Sequence, residues 1–275
     1  GTFAGLSGTS SNAVITNGAS DAAATLTVYN GSDNTFAGKI QNGTGTGAVS
    51  FVKGGAGTLT LSGANNYSGS TSLFGGKTVV SGSLSATSSV LVAKGAELNL
   101  TATGLVNQGA TITLNGQLSG SGSVGSLNVG DTGVVSPGND GAFGTLSTGD
   151  FTLTSTSQVN FDLSASSHAT GGGMNDLIAV IGNLTLDGQI NINVIGGNLT
   201  AGTYALFTYT GSLTTDPTLS LSSSFLSEYA GASLKYGNGN EVDLLIVPEP
   251  STWAMLVGGF GMLVGMQKMR NRNRG

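Results

Sequence analysis

Residue types that could carry out chemistry are few in this sequence, and they are widely spaced. His168 is the single histidine; it lies among Ser and Gly residues, and no Gly-x-Ser-x-Gly motif accompanies it. A Ser-His-Asp triad is therefore not favoured. Enzymes that cleave polysaccharides need clustered carboxylates beside Lys or Arg, whereas residues 1–247 contain five scattered lysines and no arginine. We expect a protein that is not an enzyme and that uses no cofactor.

Signals for metal and ligand sites are equally weak. The chain has no cysteine, and its aspartates lack EF-hand or calcium-repeat spacing, as seen at Asp131, Asp140, Asp150, Asp162 and Asp176. No metal site is predicted. Four aromatic residues could either pack in a core, which we favour, or lie outside, where a tyrosine could stack on sugar rings: Tyr29, Phe36, Tyr67 and Phe74.

Short alternating runs dominate residues 1–247 and predict β-strands. Glycine supplies 47 of 275 residues without a Gly-X-Y period, while 8% of residues are charged and 38% are hydrophobic, which disfavours both collagen and a disordered chain. Runs at 58–61, 111–114 and 190–194 place aliphatic residues on one face and Thr, Asn or Ser on the other. Many short strands between turns indicate either a β-solenoid or a many-stranded β-sandwich. A solenoid would have roughly ten coils, with about 20 to 25 residues per coil.

Two similarities suggest an internal repeat. Residues 25–28 recur at 58–61, an offset of 33, and residues 34–38 recur at 65–69, an offset of 31. A two-residue slip joins both into one repeat, whose stacked copies would close a core. Thr-x-Thr triplets at 25–27, 58–60 and 111–113 resemble the arrays of ice-binding solenoids, but alternation with buried leucine explains them without ice.

The stretch 53–69, KGGAGTLTLSGANNYSG, closely resembles the autotransporter-associated β-strand repeat, and 133–139, GVVSPGN, is also similar to passenger sequence. The resemblance covers about 20–215 and implies a right-handed parallel β-helix of a secreted passenger domain. That family exports itself through a C-terminal translocator, whereas this chain continues into a different tail. We therefore expect a solenoid stalk rather than self-secretion.

The tail combines three ordered parts. Pro248-Glu249-Pro250 forms an extended, exposed motif, because proline fixes φ and removes a backbone donor. The 14 residues from 253 to 266 carry no charge and would span about 21 Å as a helix, which is barely enough for a membrane. We predict a transmembrane helix bearing Trp253, Leu256, Val257, Phe260, Leu263 and Val264. By the positive-inside rule the cytoplasmic basic end would comprise Lys268, Arg270, Arg272 and Arg274.

This order resembles the PEP-CTERM sorting signal of Gram-negative bacteria over residues 247–274. The resemblance implies export, recognition of Pro248, Glu249 and Pro250 by an exosortase-type membrane transpeptidase, and removal of the tail. It also implies delivery to the cell surface or extracellular matrix after transient membrane anchoring. Residues 1–247 carry a net charge of −8 and residues 248–275 carry +3, so an acidic body and a membrane-adjacent basic tail argue against nucleic-acid binding.

These observations predict an all-β chain: a right-handed parallel β-helix with a strand-rich C-terminal cap and a C-terminal transmembrane helix. Residues 1–164 would form solenoid repeats, 165–173 a flexible loop, 174–247 a strand-rich cap or continued solenoid, and 248–275 the sorting signal. The predicted function is an exported structural or adhesive protein. Its partners would be the transpeptidase, the membrane, and either extracellular polysaccharide or further copies of the chain. The alternatives are a polysaccharide-acting β-helix enzyme and a subunit of a self-assembling extracellular fibre.

Overall fold

The computed structural model describes residues 1–18, 21–139, 141–165, 170, 173–237, 239–247, 262–264 and 266–268. Within these ranges the chain forms 29 strands and the short helix α1 (Ser223–Glu228), with further helical residues at 262–264 and 266–268. In chain order the strands are β1 (Thr2–Phe3), β2 (Val14–Thr16), β3 (Ala24–Tyr29), β4 (Asn34–Phe36), β5 (Lys39–Gln41), β6 (Val49–Gly54), β7 (Thr58–Leu61), β8 (Ala64–Asn65), β9 (Thr71–Leu73), β10 (Gly76–Val80), β11 (Ser83–Leu84), β12 (Ser89–Val92), β13 (Ala96–Leu100), β14 (Leu105–Val106), β15 (Thr111–Leu114), β16 (Gln117–Gly120), β17 (Ser126–Val129), β18 (Val134–Pro137), β19 (Thr145–Thr148), β20 (Phe151–Leu153), β21 (Gln158–Ser164), β22 (Leu177–Val180), β23 (Leu184–Leu186), β24 (Gln189–Ile195), β25 (Gly202–Tyr209), β26 (Leu213–Thr215), β27 (Ser220–Leu221), β28 (Ser233–Tyr236) and β29 (Glu241–Ile246).

The strands stack into three long faces that the chain visits in turn. The first sheet has ten strands in the order β1-β3-β6-β9-β12-β15-β17-β20-β23-β26, and the second has nine in the order β27-β24-β21-β18-β16-β13-β10-β7-β4. A third face is made of the smaller sheets β2-β5, β8-β11-β14 and β19-β22-β25-β29-β28. Because ten stacked strands give nine steps of ~4.8 Å, the first sheet is about 43 Å long. The prediction of a mostly β chain with coiled, parallel strands is confirmed for the described residues.

Parallel pairing keeps the strands in register, so each inward residue lies above another inward residue. Alternation within each strand decides which residues these are: Leu59 and Leu61 of β7 are fully buried, while Thr58 and Thr60 are partly exposed. The aliphatic residues therefore form continuous stacks along the solenoid interior. Three aromatic rings close the wider C-terminal coils, where Phe207 packs edge-on at 5.7 Å from Phe151 and 5.2 Å from Phe161.

The sequence repeat proposed from residues 25–28 and 58–61 is not the structural repeat. Residues 25–28 lie in β3 of the first sheet, whereas 58–61 form β7 of the second sheet. Leu26 instead pairs with Phe51, 25 residues later, and the spacing between stacked partners ranges from 15 residues between Ile112 and Leu127 to 33 between Phe151 and Leu184. The two similar segments have the same inside-outside pattern, so sequence alone could not separate them.

Parallel stacking is present on both sides of the predicted loop at 165–173. Strand β21 before it pairs with β24 after it, and β19 pairs with β22. Antiparallel strand pairing joins β25 to β29 and β29 to β28. Helix α1 covers this end of the solenoid with buried Phe225, whose ring stacks on Tyr229 at 4.8 Å. Residues 166–169, 171 and 172 lie outside the described residues, so the loop stays a prediction.

The described part of the chain contains no helix that is both long and apolar enough to cross a membrane. Of the predicted transmembrane residues, Leu263 and Val264 lie in the helical stretch 262–264 and are exposed, at 63% and 60%. Trp253, Leu256, Val257 and Phe260 lie outside the described residues.

Candidate functional site

The most distinctive surface lies where the first sheet turns into the second. The outward positions at this end of successive first-sheet strands form a column, here called the corner strip: Tyr29, Gly54, Phe74, Ala93, Asn115 and Gly130. Tyr29 pairs with Gly54, and the backbone ladder continues through the N–H of Phe74, Ala93, Asn115 and Gly130, each donating to a carbonyl of the preceding coil at 2.8 Å. The corner strip is therefore held in line by backbone hydrogen bonds.

Two of the four aromatic residues that were expected to pack in the core are instead exposed in the corner strip. Tyr29 is 55% exposed and Phe74 54%, while Phe36 and Tyr67 are buried in the core. Tyr67 packs against Phe51 with ring centres 6.2 Å apart, and its hydroxyl hydrogen-bonds Thr71 Oγ1 at 2.7 Å. Burial raises the pKa of the Tyr67 hydroxyl above its ordinary value. The aromatic residues thus divide into a core pair and a surface pair.

Gly54 allows the surface pair to lie on one column. A Cβ atom placed on Gly54 would collide with the Tyr29 ring, which lies directly over the glycine backbone. Any larger residue would displace the ring. The Tyr29 ring therefore covers Gly54, the position that separates Tyr29 from Phe74 along the strip.

A shallow groove of about 450 Å³ runs beside the corner strip. Its lining includes Gly76, Gly95 and Gly116, and its polar lining consists of Lys77, Lys94, Glu97, Asn115, Gln117 and Thr132. Lys77, Glu97 and Gln117 occupy matching register positions on β10, β13 and β16, so they repeat at ~4.8 Å along the groove. Lys77 Nζ lies 2.8 Å from Glu97 Oε1, whereas exposed Lys94 forms no ion pair within the described ranges.

Buried Lys53 fixes the shape of this corner. It occupies an inward position of β6, is fully buried, and its Nζ donates to the carbonyl oxygens of Gly55 at 3.0 Å, Gly57 at 2.7 Å and Gly75 at 2.6 Å. Burial lowers the pKa of the Lys53 ammonium below its ordinary value, and the Asp33 carboxylate acts in the opposite direction. We call Lys53 and its three carbonyl acceptors the lysine anchor.

The lysine anchor also explains two glycines of the corner. Gly55 and Gly76 have φ of +76° and +58°, which side chains other than glycine rarely adopt. A Cβ on Gly76 would lie 2.5 Å from Lys53 Nζ. The resemblance of residues 53–69 to a known repeat does not predict the role of Lys53. The available signal was a lysine continuing the inward alternation of Val49 and Phe51.

No protein-family model matches the chain. One similarity is to an autotransporter adhesin. The adhesin BmaC autotransporter of Brucella suis biovar 1 (strain 1330) is 45% identical over 84 residues, which cover 30% of this chain. The chain spans about 2% of the length of that protein. The comparison therefore supports a partial likeness to an autotransporter adhesin, in agreement with the resemblance of residues 53–69.

A second polar cluster lies further along the second sheet. Asp162 accepts the Gly141 N–H at 2.7 Å and the Asn193 amide at 2.6 Å, and Asp176 accepts the N–H groups of Gly144 and Asp162 at 2.8 Å each. Burial raises the pKa of Asp176 to about 7, although these N–H donors favour the carboxylate. The two side chains line a small cleft of about 170 Å³. Their bonds fasten the backbone at Gly141 and Gly144 onto the sheet.

The other predicted chemical residues are dispersed. Asp150 accepts the backbone N–H of Asn183 at 2.7 Å, and Asp131 is exposed. Among the residues with described positions, no group of three or more His, Asp or Glu side chains could hold a metal. His168 and Asp140 lie outside the described residues.

The sorting residues are mostly beyond the described structure. Pro248, Glu249 and Pro250 lie outside the described residues, as do Arg270, Arg272 and Arg274, while Lys268 lies in the helical stretch 266–268. The sorting motif, the apolar segment and the basic end therefore remain predictions from the sequence.

Proposed function

We propose that this chain is an exported, cell-surface or extracellular-matrix protein whose β-solenoid presents an adhesive face. One observation carries the proposal: the outward side of the first sheet is long and without charge. Within its ten strands the one charged side chain is Lys53, which points inward. Outward positions are filled mainly by Ser, Thr and Asn, so the face offers hydroxyl and amide groups over about 43 Å.

A face of this kind suits contact with an extended or flat partner. A small-molecule site is normally a deep, largely enclosed pocket, whereas the corner groove is shallow and lies along the solenoid. The partial likeness to an autotransporter adhesin also supports an adhesive function. We infer that the contacts with a partner are spread over many coils, and that the stacked coils serve to present this binding face.

The proposal includes the right-handed coiling and the sorting route. A right-handed connection is the strongly preferred geometry between parallel strands. An exosortase-type transpeptidase would recognise Pro248, Glu249 and Pro250. The apolar segment would anchor the chain in the membrane until the tail is removed. What supports this route is the order of motif, apolar run and basic end in the sequence.

Mass spectrometry of the chain recovered from the cell surface or medium tests the route. The expected product lacks the segment after the Pro248-Glu249-Pro250 motif, and a Glu249→Ala, Pro250→Ala variant accumulates uncut in the membrane fraction. Glu241→Ala is the matched control and should be processed normally. Recovery of the intact chain ending at Gly275 in the cytoplasm would contradict the sorting route.

Adhesion is tested separately. Cells that display the chain should attach to one another or to a polysaccharide matrix more than cells without it. Equal attachment, with display verified by surface labelling, would overturn the adhesive function.

A polysaccharide-acting enzyme on the same scaffold is the second candidate. The observation that favours it is Asp176, with its pKa raised to about 7 beside Asp162 in a cleft. Release of reducing ends from acidic and neutral polysaccharides, abolished by Asp176→Asn, would establish the enzyme. No release from either class would leave the adhesive function as the better account.

A further inference from the structure

We propose that the corner strip and the groove beside it form one binding site for an extended polysaccharide that carries carboxylate groups. The inference rests on the proposed adhesive function and names the class of partner for it. The site extends along the solenoid axis rather than across it, so it would take a linear polymer lying parallel to that axis.

The aromatic half of the site is the first argument. Tyr29 and Phe74 are each more than half exposed and lie two strand steps apart on one column, with Gly54 between them. Two steps separate their backbones by ~9.6 Å, and the Tyr29 ring covers the Gly54 position between them, so one bound chain lying along the column could contact both rings. Sugar rings have faces covered by C–H groups, which pack favourably against the faces of aromatic side chains.

The polar half of the site is the second argument. From Lys77 on β10 through Glu97 and Gln117 to Val134 on β18, the groove crosses four stacked strands, or about 14 Å. An ammonium, a carboxylate and an amide group therefore lie on three successive strands along it. Donors and acceptors repeated in one direction suit a polymer that presents hydroxyl groups on every unit.

The charge in the groove selects an acidic polymer. Glu97 neutralises Lys77 at 2.8 Å, which leaves Lys94 as the cation without an ion pair in the described part of the groove. The rest of residues 1–247 carries a net negative charge and would repel a polyanion at other surfaces. A carboxylate-bearing chain would thus be oriented onto this one corner, and its binding would weaken as salt increases.

Isothermal titration of the purified full chain with alginate oligosaccharides, which carry a carboxylate on each sugar unit, tests the inference. Cello-oligosaccharides of equal length serve as the neutral comparison. We expect the acidic oligosaccharide to bind more tightly, Tyr29→Ala and Phe74→Ala each to weaken it about fivefold, and Lys94→Ala to remove most of the salt dependence. Tyr236→Ala and Lys39→Ala, at partly exposed positions on the third face, should bind as the unaltered chain does.

The outcomes separate this inference from the adhesive function. Binding that is unchanged in Tyr29→Ala and Phe74→Ala would overturn the site, and equal binding of both oligosaccharides would overturn the selection of carboxylates. If displaying cells attach but the purified chain binds neither oligosaccharide, the inference fails while the adhesive function stands. Circular dichroism of each variant checks folding, which exposed substitutions should leave intact.

Discussion

Replacing Lys53 by methionine should weaken the solenoid at the corner. Methionine has a similar length and no charge, so the change removes the three hydrogen bonds to Gly55, Gly57 and Gly75 without leaving a large cavity. The buried Gly57 carbonyl left without a donor costs about 1–3 kcal/mol, and the part-buried carbonyls of Gly55 and Gly75 cost about 1 kcal/mol each. Relief from burying an ammonium group offsets part of that total. We therefore expect a net loss of roughly 1–3 kcal/mol in the free energy of unfolding.

Urea unfolding followed by circular dichroism measures this loss in the full chain. Lys39→Met, at a partly buried position on the third face, is the control and should change stability by less than about 0.5 kcal/mol. Hydrogen exchange adds a local readout, because the amides at 53–57 and 73–77 should exchange faster in Lys53→Met while distant coils keep their protection. A Lys53→Met variant as stable as the unaltered chain, with unchanged exchange at the corner, would refute the lysine anchor.

Three further predictions address the core, the backbone and pH. Leu114→Ala should lower the free energy of unfolding in urea by about 2–5 kcal/mol, because Leu114 is fully buried. The matched substitution Thr113→Ala, at the exposed position next to it, should have little effect. Gly120→Ala should lower the melting temperature, because Gly120 has φ of +103° and an added Cβ would collide with the Leu100 carbonyl; a melting temperature equal to that of the unaltered chain would contradict this. The pKa of Asp176 is about 7 in the folded chain against an ordinary 3.8, so the folded state holds the proton more tightly. The free energy of unfolding should then fall by roughly 2–4 kcal/mol as pH rises from 4 through 7, and Asp176→Asn should remove that slope.

The strands themselves were largely predictable. The run at 58–61 coincides with β7, and that at 111–114 with β15. Alternation decides which side chains point inward within one strand, because successive residues of a strand face opposite sides. This pattern depends only on neighbouring residues, so it can be read without knowing what a strand pairs with.

Pairing between coils was not predictable in the same way. The similarity between residues 25–28 and 58–61 suggested a stacked repeat, yet the two segments lie in different sheets. Turn lengths set the register between coils, and the spacing of stacked partners varies from 15 to 33 residues. A constant offset in sequence therefore cannot identify the partners.

The candidate site likewise has features that the sequence predicts and features that depend on the tertiary structure. Composition and the Thr, Ser and Asn alternation of residues 1–247 determined that the solenoid surface would be polar and poor in charge. Only the tertiary structure decided that Tyr29 and Phe74 share one exposed column while Phe36 and Tyr67 are buried, and that Lys53 points inward to three backbone carbonyls. The physical reason is that inside and outside follow from local strand geometry, whereas a shared column and a buried hydrogen-bond partner depend on which coil stacks on which.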